Sequence, residues 1–241
     1  MPAFEAPVYT LKGIKIRFGS KQLFEDVELY INRGDQISLV GRNGSGKSTL
    51  LKIIAGIIEP DDGEIFIQPN VKIGYMPQDA DLSGFKTLRE AVAAGLDKHD
   101  GSEDYKTDMW IEQLEIAADA DPATASGGER RKATLARALI EEPDILLLDE
   151  PSSSLDPAHA HAAMRAAKDL CKRGAAVISI LHDPNLAAAY ATKIALLKDA
   201  KLVSFDIPEI SLDETLLSKT YSAPCKTLDF DGKKIIYFPE H

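Results

Sequence analysis

The run Gly41-Arg42-Asn43-Gly44-Ser45-Gly46-Lys47-Ser48-Thr49 carries the densest chemistry in this 241-residue chain. It matches G-x-x-x-x-G-K-[ST], follows the apolar segment ISLV, and opens the helical pattern STLLKIIAGII. That context is the one in which the pattern binds a nucleotide. Glycines at 41, 44 and 46 let backbone N–H groups wrap phosphate oxygens with no side chain in the way. Lys47 brings a point charge to the β- and γ-phosphates, and the Ser48 hydroxyl is placed to ligate Mg²⁺.

An acidic pair completes the chemistry. The segment ILLLDE puts Asp149 and Glu150 at the end of an apolar run, where α/β proteins bind ligands. Asp149 is expected to hold magnesium through water and Glu150 to polarise the attacking water as general base. The alternative is an acidic pair that merely precedes a helix. His182, after the apolar run AAVISIL, could reach the γ-phosphate, whereas His99, His159, His161 and His241 read as structural. Gln78, in GYMPQD, is placed to touch both the metal and whatever docks nearby.

A second anion-receiving turn stands at TASGGERRK, where Ser126, Gly127, Gly128 and Glu129 open a helix. Ser126 with Glu129 three residues on also reads as a capping box, and both readings can hold. Arg130, Arg131 and Lys132, the only dense basic run, are expected to form a solvated helix face.

These groups need a scaffold. Strand patterns YTLKGIKIRF, EDVELYI and DQISLVG precede the phosphate loop, and PDDGEIFIQPNVKIGYM after it reads as a hairpin. Residues 79–136 hold only helical patterns: TLREAVAAGL, YKTDMWIEQLEIA and ERRKATLARALIEE. The α/β rhythm then returns with DILLLDE, a helix over 158–172, AAVISIL, a further helix, KIALLK and KLVSF. The expected organisation is a single α/β domain over 1–241, with its core at 1–78 and 137–241 and a helical subdomain at 79–136.

A net charge of −10 argues against broad nucleic-acid binding, and no direct contact with nucleic acid is expected. Two cysteines make no disulfide framework and fit a reducing compartment. No stretch approaches the roughly 20 apolar residues of a membrane span, and MPAFEAPVYT lacks the features of an export signal.

In order, GRNGSGKST, Gln78, ASGGE, ILLLDE, SSLD and His182 make the chain resemble the ATP-binding cassette (ABC) ATPases over roughly residues 8–205. The resemblance implies a P-loop NTPase fold with an antiparallel β subdomain and an inserted α-helical subdomain, working on ATP with Mg²⁺. It implies that Ser126, Gly127, Gly128 and Glu129 cap the ATP of a second, head-to-tail cassette, so that the chain homodimerises, with Asp156 across the interface. Phe18 matches the place where the family stacks an aromatic ring on adenine, with a core aromatic as the alternative. Ala125 stands where the family usually has Leu, Glu129 where Gln is commoner, and Ser152 where Thr is usual. None of these departures removes a catalytic group.

The two halves resemble different relatives. Residues 15–150 are similar to ABC-F proteins, soluble tandem cassettes associated with ribosomes. Residues 151–241 are similar to ATPase subunits of importers for iron-siderophores, haem or cobalamin. A natural mosaic, a divergent subgroup and an engineered recombinant all fit. The first functional expectation is a transporter ATPase, cytoplasmic and peripheral on the inner face of the membrane, beneath integral permease subunits. A groove formed by the helical lobe and Gln78 would then receive a permease helix. The alternative is a translation-associated ATPase with the ribosome as partner.

Overall fold

The computed structural model describes residues 6–19, 21–96, 104–153, 155–230 and 233–239. Strand β1 (Tyr9–Phe18) buries Tyr9, Leu11, Ile14 and Ile16, with a register shift between Leu11 and Ile14. It pairs antiparallel with β2 (Lys21–Ile31) and, further on, with β4 (Asp62–Ile67), giving a three-stranded sheet in the order β2-β1-β4. Between them lie β3 (Gln36–Gly41), buried along its whole length, and α1 (Lys47–Ile54).

Strand β5 (Ile73–Met76) does not fold back on β4, which corrects the expected hairpin. Pro69 cannot donate to a ladder, and Asn70 takes a left-handed turn at φ 62°, so the chain leaves the first sheet there. β5 instead joins β6 (Ile145–Leu148), which is buried throughout, in parallel register from Ile73↔Ile145 to Met76↔Leu148.

Helices α2 (Leu88–Ala93), α3 (Asp104–Gln113) and α4 (Gly127–Leu139) come between β5 and β6. Thr87 caps α2 by accepting from the Glu90 amide. The expected division at residue 136 falls inside α4, because the apolar positions Ala133, Leu135, Ala136 and Leu139 continue one buried face past it. α5 (Pro157–Lys172), β7 (Ala176–Ile180), α6 (Pro184–Tyr190), β8 (Lys193–Lys198) and β9 (Lys201–Asp206) follow. Their bounds lie close to those expected from the pattern.

The second sheet has six strands in the order β5-β6-β7-β3-β8-β9, parallel except where β9 turns back on β8. Its two faces are filled by alternate residues of the same strands. Leu146, Leu148 and Val177 face a core shared with α2, α4 and α5, and Trp110 of α3 completes that core. Ile145, Leu147, Ile178 and Ile37 face the core shared with α1 and the three-stranded sheet. Each fully buried aliphatic side chain of α1, such as Leu50 or Ile53, contributes about 1.5–3 kcal/mol relative to exposure.

The last segment holds α7 (Pro208–Ser211), α8 (Glu214–Tyr221) and a hairpin of β10 (Lys226–Phe230) with β11 (Lys233–Tyr237). Asn185 of α6 grips this hairpin both ways: its amide donates to the Ile236 carbonyl at 3.0 Å and accepts from the Ile236 N–H at 2.7 Å. Among the described residues no helix is long and apolar enough to cross a membrane.

Candidate functional site

Four adjacent parallel strands deliver the chemistry at their carboxyl ends. β5 ends before Gln78, β6 before Asp149 and Glu150, β7 before His182, and β3 at the phosphate loop. The sheet order therefore brings together groups more than a hundred positions apart in the chain, as expected at the strand ends of an α/β sheet.

The loop is built around its glycines. Gly44 and Gly46 take φ of 77° and 98°, and Gly41 takes 149°. A Cβ on Gly41 would come within 2.1 Å of the Leu197 carbonyl oxygen, and one on Gly46 would meet the Phe24 ring at 2.7 Å. Loop backbone and neighbouring strand pass too close here for any side chain. Lys47 is buried, and its ammonium donates to the carbonyls of Gly41 at 2.8 Å and Arg42 at 3.0 Å. Burial pulls its pKa below the ordinary value, opposed by the carboxylates of Glu150 and Asp149. Ser45 is also buried, and its hydroxyl has no protein partner among the described residues.

The Ser48 hydroxyl donates to Asp149 at 3.2 Å. Asp149 is 2% exposed, and burial raises its carboxyl above the usual range despite that bond, with the neighbouring Glu150 charge adding to the rise. A buried carboxylate beside a hydroxyl is a donor set that suits a hard divalent cation. Among the described residues no cluster of three or more His, Cys, Asp or Glu side chains stands ready as a self-contained metal cage. Ser48 and Asp149 together fit a magnesium ion that would take further ligands from the Gln78 side chain, phosphate and water.

Glu150 is gripped at both oxygens. Nε2 of His182 lies 2.7 Å from Oε1, and Nε2 of Gln78 donates to Oε2 at 3.1 Å. Its backbone takes φ of 55°, a left-handed conformation that costs a non-glycine residue roughly 1–2 kcal/mol. The arrangement can hold a carboxylate at a fixed angle over the phosphate loop, as a base must be held.

Phe18, Leu23, Asn43, Gly44, Gly46, Lys47, Ser48, Thr49, Gln78, Glu150 and His182 line one open cavity of about 620 Å³. Phe18 is 53% exposed at its rim, so the reading as a core aromatic is set aside. Arg42 is exposed beside the loop, while Gly41 and Ser45 support it from beneath.

Ser126, Gly127, Gly128 and Glu129 do not line this cavity. They form a complete capping box: the Glu129 amide donates to Ser126 Oγ at 3.2 Å, and the Ser126 amide donates to the Glu129 carboxylate at 3.0 Å. The box leaves the first-turn amides of Gly127 and Gly128, which a helix cannot satisfy internally, at the mouth of α4. Asp156 caps α5 and holds His159 at 2.6 Å, and His161 bonds Tyr190 at 3.0 Å, in keeping with structural roles for both histidines. His99 and His241 lie outside the described residues.

The expected solvated basic face does not extend to Arg131. Arg131 is not on a solvated face with its neighbours: Arg130 is exposed, but Arg131 is 7% exposed and reaches into the site. Its Nη1 donates to the carbonyls of Pro77, at 3.1 Å, and of Gln78, and its Nη2 to those of Asp149 and Glu150. Its place on the apolar stripe of α4, between Gly128 and Leu135, was the available signal.

The ABC transporter family profile matches residues 24–153. The Hemin import ATP-binding protein HmuV of Gloeobacter violaceus is 37% identical over 225 residues, covering 83% of this chain and 82% of that protein. The ATP-binding protein Uup of Caulobacter vibrioides is 40% identical over 179 residues, which is 74% of this chain but 28% of Uup. A solved chain from a metal-chelate type ABC transporter in an inward-facing conformation superposes with a TM-score of 0.83 at 26% identity, over 97% of both chains. Both kinds of relative expected from the sequence, importer ATPases and an ABC-F protein, are thus present.

Proposed function

The chain belongs to the ABC transporter family and is an ATPase, and on that premise we propose that it is the energy-supplying subunit of an importer. The observation that carries this reading is coverage. The likeness to the hemin import ATP-binding protein spans most of both chains, whereas Uup is matched over little more than a quarter of its length.

In this reading the loop of residues 41–49 and Lys47 hold the β- and γ-phosphates, and Phe18 stacks on the adenine. Ser48 and Asp149, with Gln78, would hold Mg²⁺, which would supply positive charge against the phosphate oxygens. Glu150 accepts a proton from water as the water oxygen bonds the γ-phosphorus and the bond to the β–γ bridging oxygen breaks. His182 and Gln78 keep the carboxylate in place. The products are ADP and inorganic phosphate.

The cavity is open and lacks the signature residues, so a second copy is proposed to close it. Gly127 and Gly128 of that copy would present helix N-terminal amides to the γ-phosphate. One such helix end contributes about 0.3–1 kcal/mol at an exposed site and more once water is shut out. A groove of about 650 Å³ lies between the Gln78 loop and the helices, lined by Tyr75, Pro77, Asp79, Ala80, Gly95 and Arg137. It is the proposed seat of a permease helix. The chain would accordingly act in the cytoplasm, peripheral to the inner face of the membrane.

The identity to Uup keeps one second reading in view, a translation-associated ATPase. Fractionation of cells producing the tagged chain decides between them. Recovery with membrane permease subunits supports the importer, and recovery with ribosomes overturns it.

A further inference from the structure

We propose that Arg131 is a positioning residue for hydrolysis, a buried strap through which helix α4 sets the attitude of Glu150 and Gln78. The inference rests on Glu150 acting as the base.

The guanidinium is shared among four carbonyls from two separate segments. One pair, Pro77 and Gln78, belongs to the loop after β5, and the other, Asp149 and Glu150, to the loop after β6. Both segments carry groups that meet on one carboxylate, since Gln78 and Glu150 bond each other through their side chains. Arg131 thus closes a ring: it fixes the backbones whose side chains must meet.

The left-handed backbone of Glu150 gives the strap a specific task. A residue held in that conformation needs its surroundings to hold it there. The Glu150 carbonyl accepts from Arg131 and from the Ser153 amide at 3.0 Å. Removing Arg131 leaves that carbonyl the Ser153 bond alone, so the Gln78 and His182 contacts must then hold the carboxylate on a loosened turn.

Arg131 also lies one turn into the helix that Ser126 caps. A displacement of that helix must either carry both loops along or break these bonds, so the geometry of the base depends on where the signature helix stands. The planar fork suits the role: a lysine offers a point charge and cannot span both pairs of carbonyls. Nothing in the arrangement places Arg131 against nucleotide, since it is absent from the cavity lining.

The test uses the full chain with Arg131→Met, Arg131→Lys, Glu150→Gln and the Arg131→Met/Glu150→Gln double variant. Turnover, KM and ATP affinity by calorimetry are read in each. In Arg131→Met, kcat should fall about 10- to 100-fold, the range for a lost supporting partner or a misplacement near 1 Å. ATP affinity should stay within about twofold, the pattern of an interaction that matters to the transition state alone. Arg131→Lys should fall between, and it carries the comparison if the methionine variant does not fold. In the Glu150→Gln background Arg131→Met should cost no further turnover.

Unchanged kcat in the Arg131 variants beside an inactive Glu150→Gln overturns this inference alone. So does a loss of affinity in step with kcat, or an additive loss in the double variant. Full turnover in Glu150→Gln itself overturns the assignment of the base, and this inference with it.

Discussion

His182 and Glu150 meet at 2.7 Å across the ends of β7 and β6, nitrogen Nε2 against oxygen Oε1. The two residues stand on the segments that follow neighbouring parallel strands, which brings them within reach of each other. In the proposed mechanism Glu150 takes the proton of the attacking water, which the amide of Glu150→Gln cannot do. Turnover should drop about 10²–10⁴-fold, the worth of a positioned general base, while ATP still binds. Phosphate release measures the first and calorimetry the second. With ATP and magnesium present the same variant should sediment as a dimer, and a monomer there refutes closure by a second copy.

Lys47 makes two hydrogen bonds to its own loop and carries a charge that burial disfavours. A charged donor contributes about 1.5–3 kcal/mol to a bond with phosphate. Lys47→Ala should therefore weaken ATP binding by roughly 10- to 150-fold in calorimetry. Unchanged affinity would remove Lys47 from the phosphate site.

Asp149 yields a pH prediction. Its folded-state carboxyl is raised above the ordinary 3.8, chiefly by burial, so the folded state holds a proton that the unfolded state has released. Stability of the nucleotide-free chain should therefore fall as pH rises from the unfolded value through the folded one. Asp149→Asn keeps the acceptor for Ser48 and removes the buried charge. It should flatten that fall and raise Tm at neutral pH while turnover collapses. Thermal melts at a series of pH values check the sign, and an unaltered pH profile would refute it.

Gly41 and Gly44 separate crowding from conformation. Gly41→Ala drives a Cβ into the Leu197 carbonyl, whereas a Cβ on Gly44 meets nothing within 4 Å. The first should cost about 3–5 kcal/mol from overpacking and strain together. The second should cost about 1–2 kcal/mol for its positive φ alone. Denaturant unfolding of both variants tests the difference, and equal losses would contradict the close approach of β8 to the loop.

What could be read from the sequence was whatever is written locally. The phosphate loop, the ILLLDE strand end and the turn before α4 each carry their reason within a few residues: glycines for curvature, an apolar run for burial, Ser126 and Glu129 for a cap. Gln78 and His182 were legible for the same reason, each following a strand pattern. Arg131 was legible only in part: its place on the apolar stripe of α4 set it apart from Arg130, but its carbonyl partners lie on two loops that sequence does not place beside it. The supposed hairpin of residues 60–76 failed likewise: both strands exist, but their partners β1 and β6 lie far away in the chain. The closing elements α7, α8, β10 and β11 are short and carry weak periodicity, so only the structure revealed the grip of Asn185 on Ile236.

The central position of β3 governs when the molecule can become competent during its own synthesis. The strand that feeds the phosphate loop pairs with β7 on one side and β8 on the other, made 141 and 156 residues later by their registers Gln36↔Val177 and Ile37↔Lys193. A nascent chain that has emerged as far as α1 already displays its glycines and Lys47 but has no walls to hold them. Contacts of such long sequence separation form slowly, and a domain folds as a unit once its parts are present. The loop is thus written early but walled late, because both strands that flank β3 come from the last third of the chain.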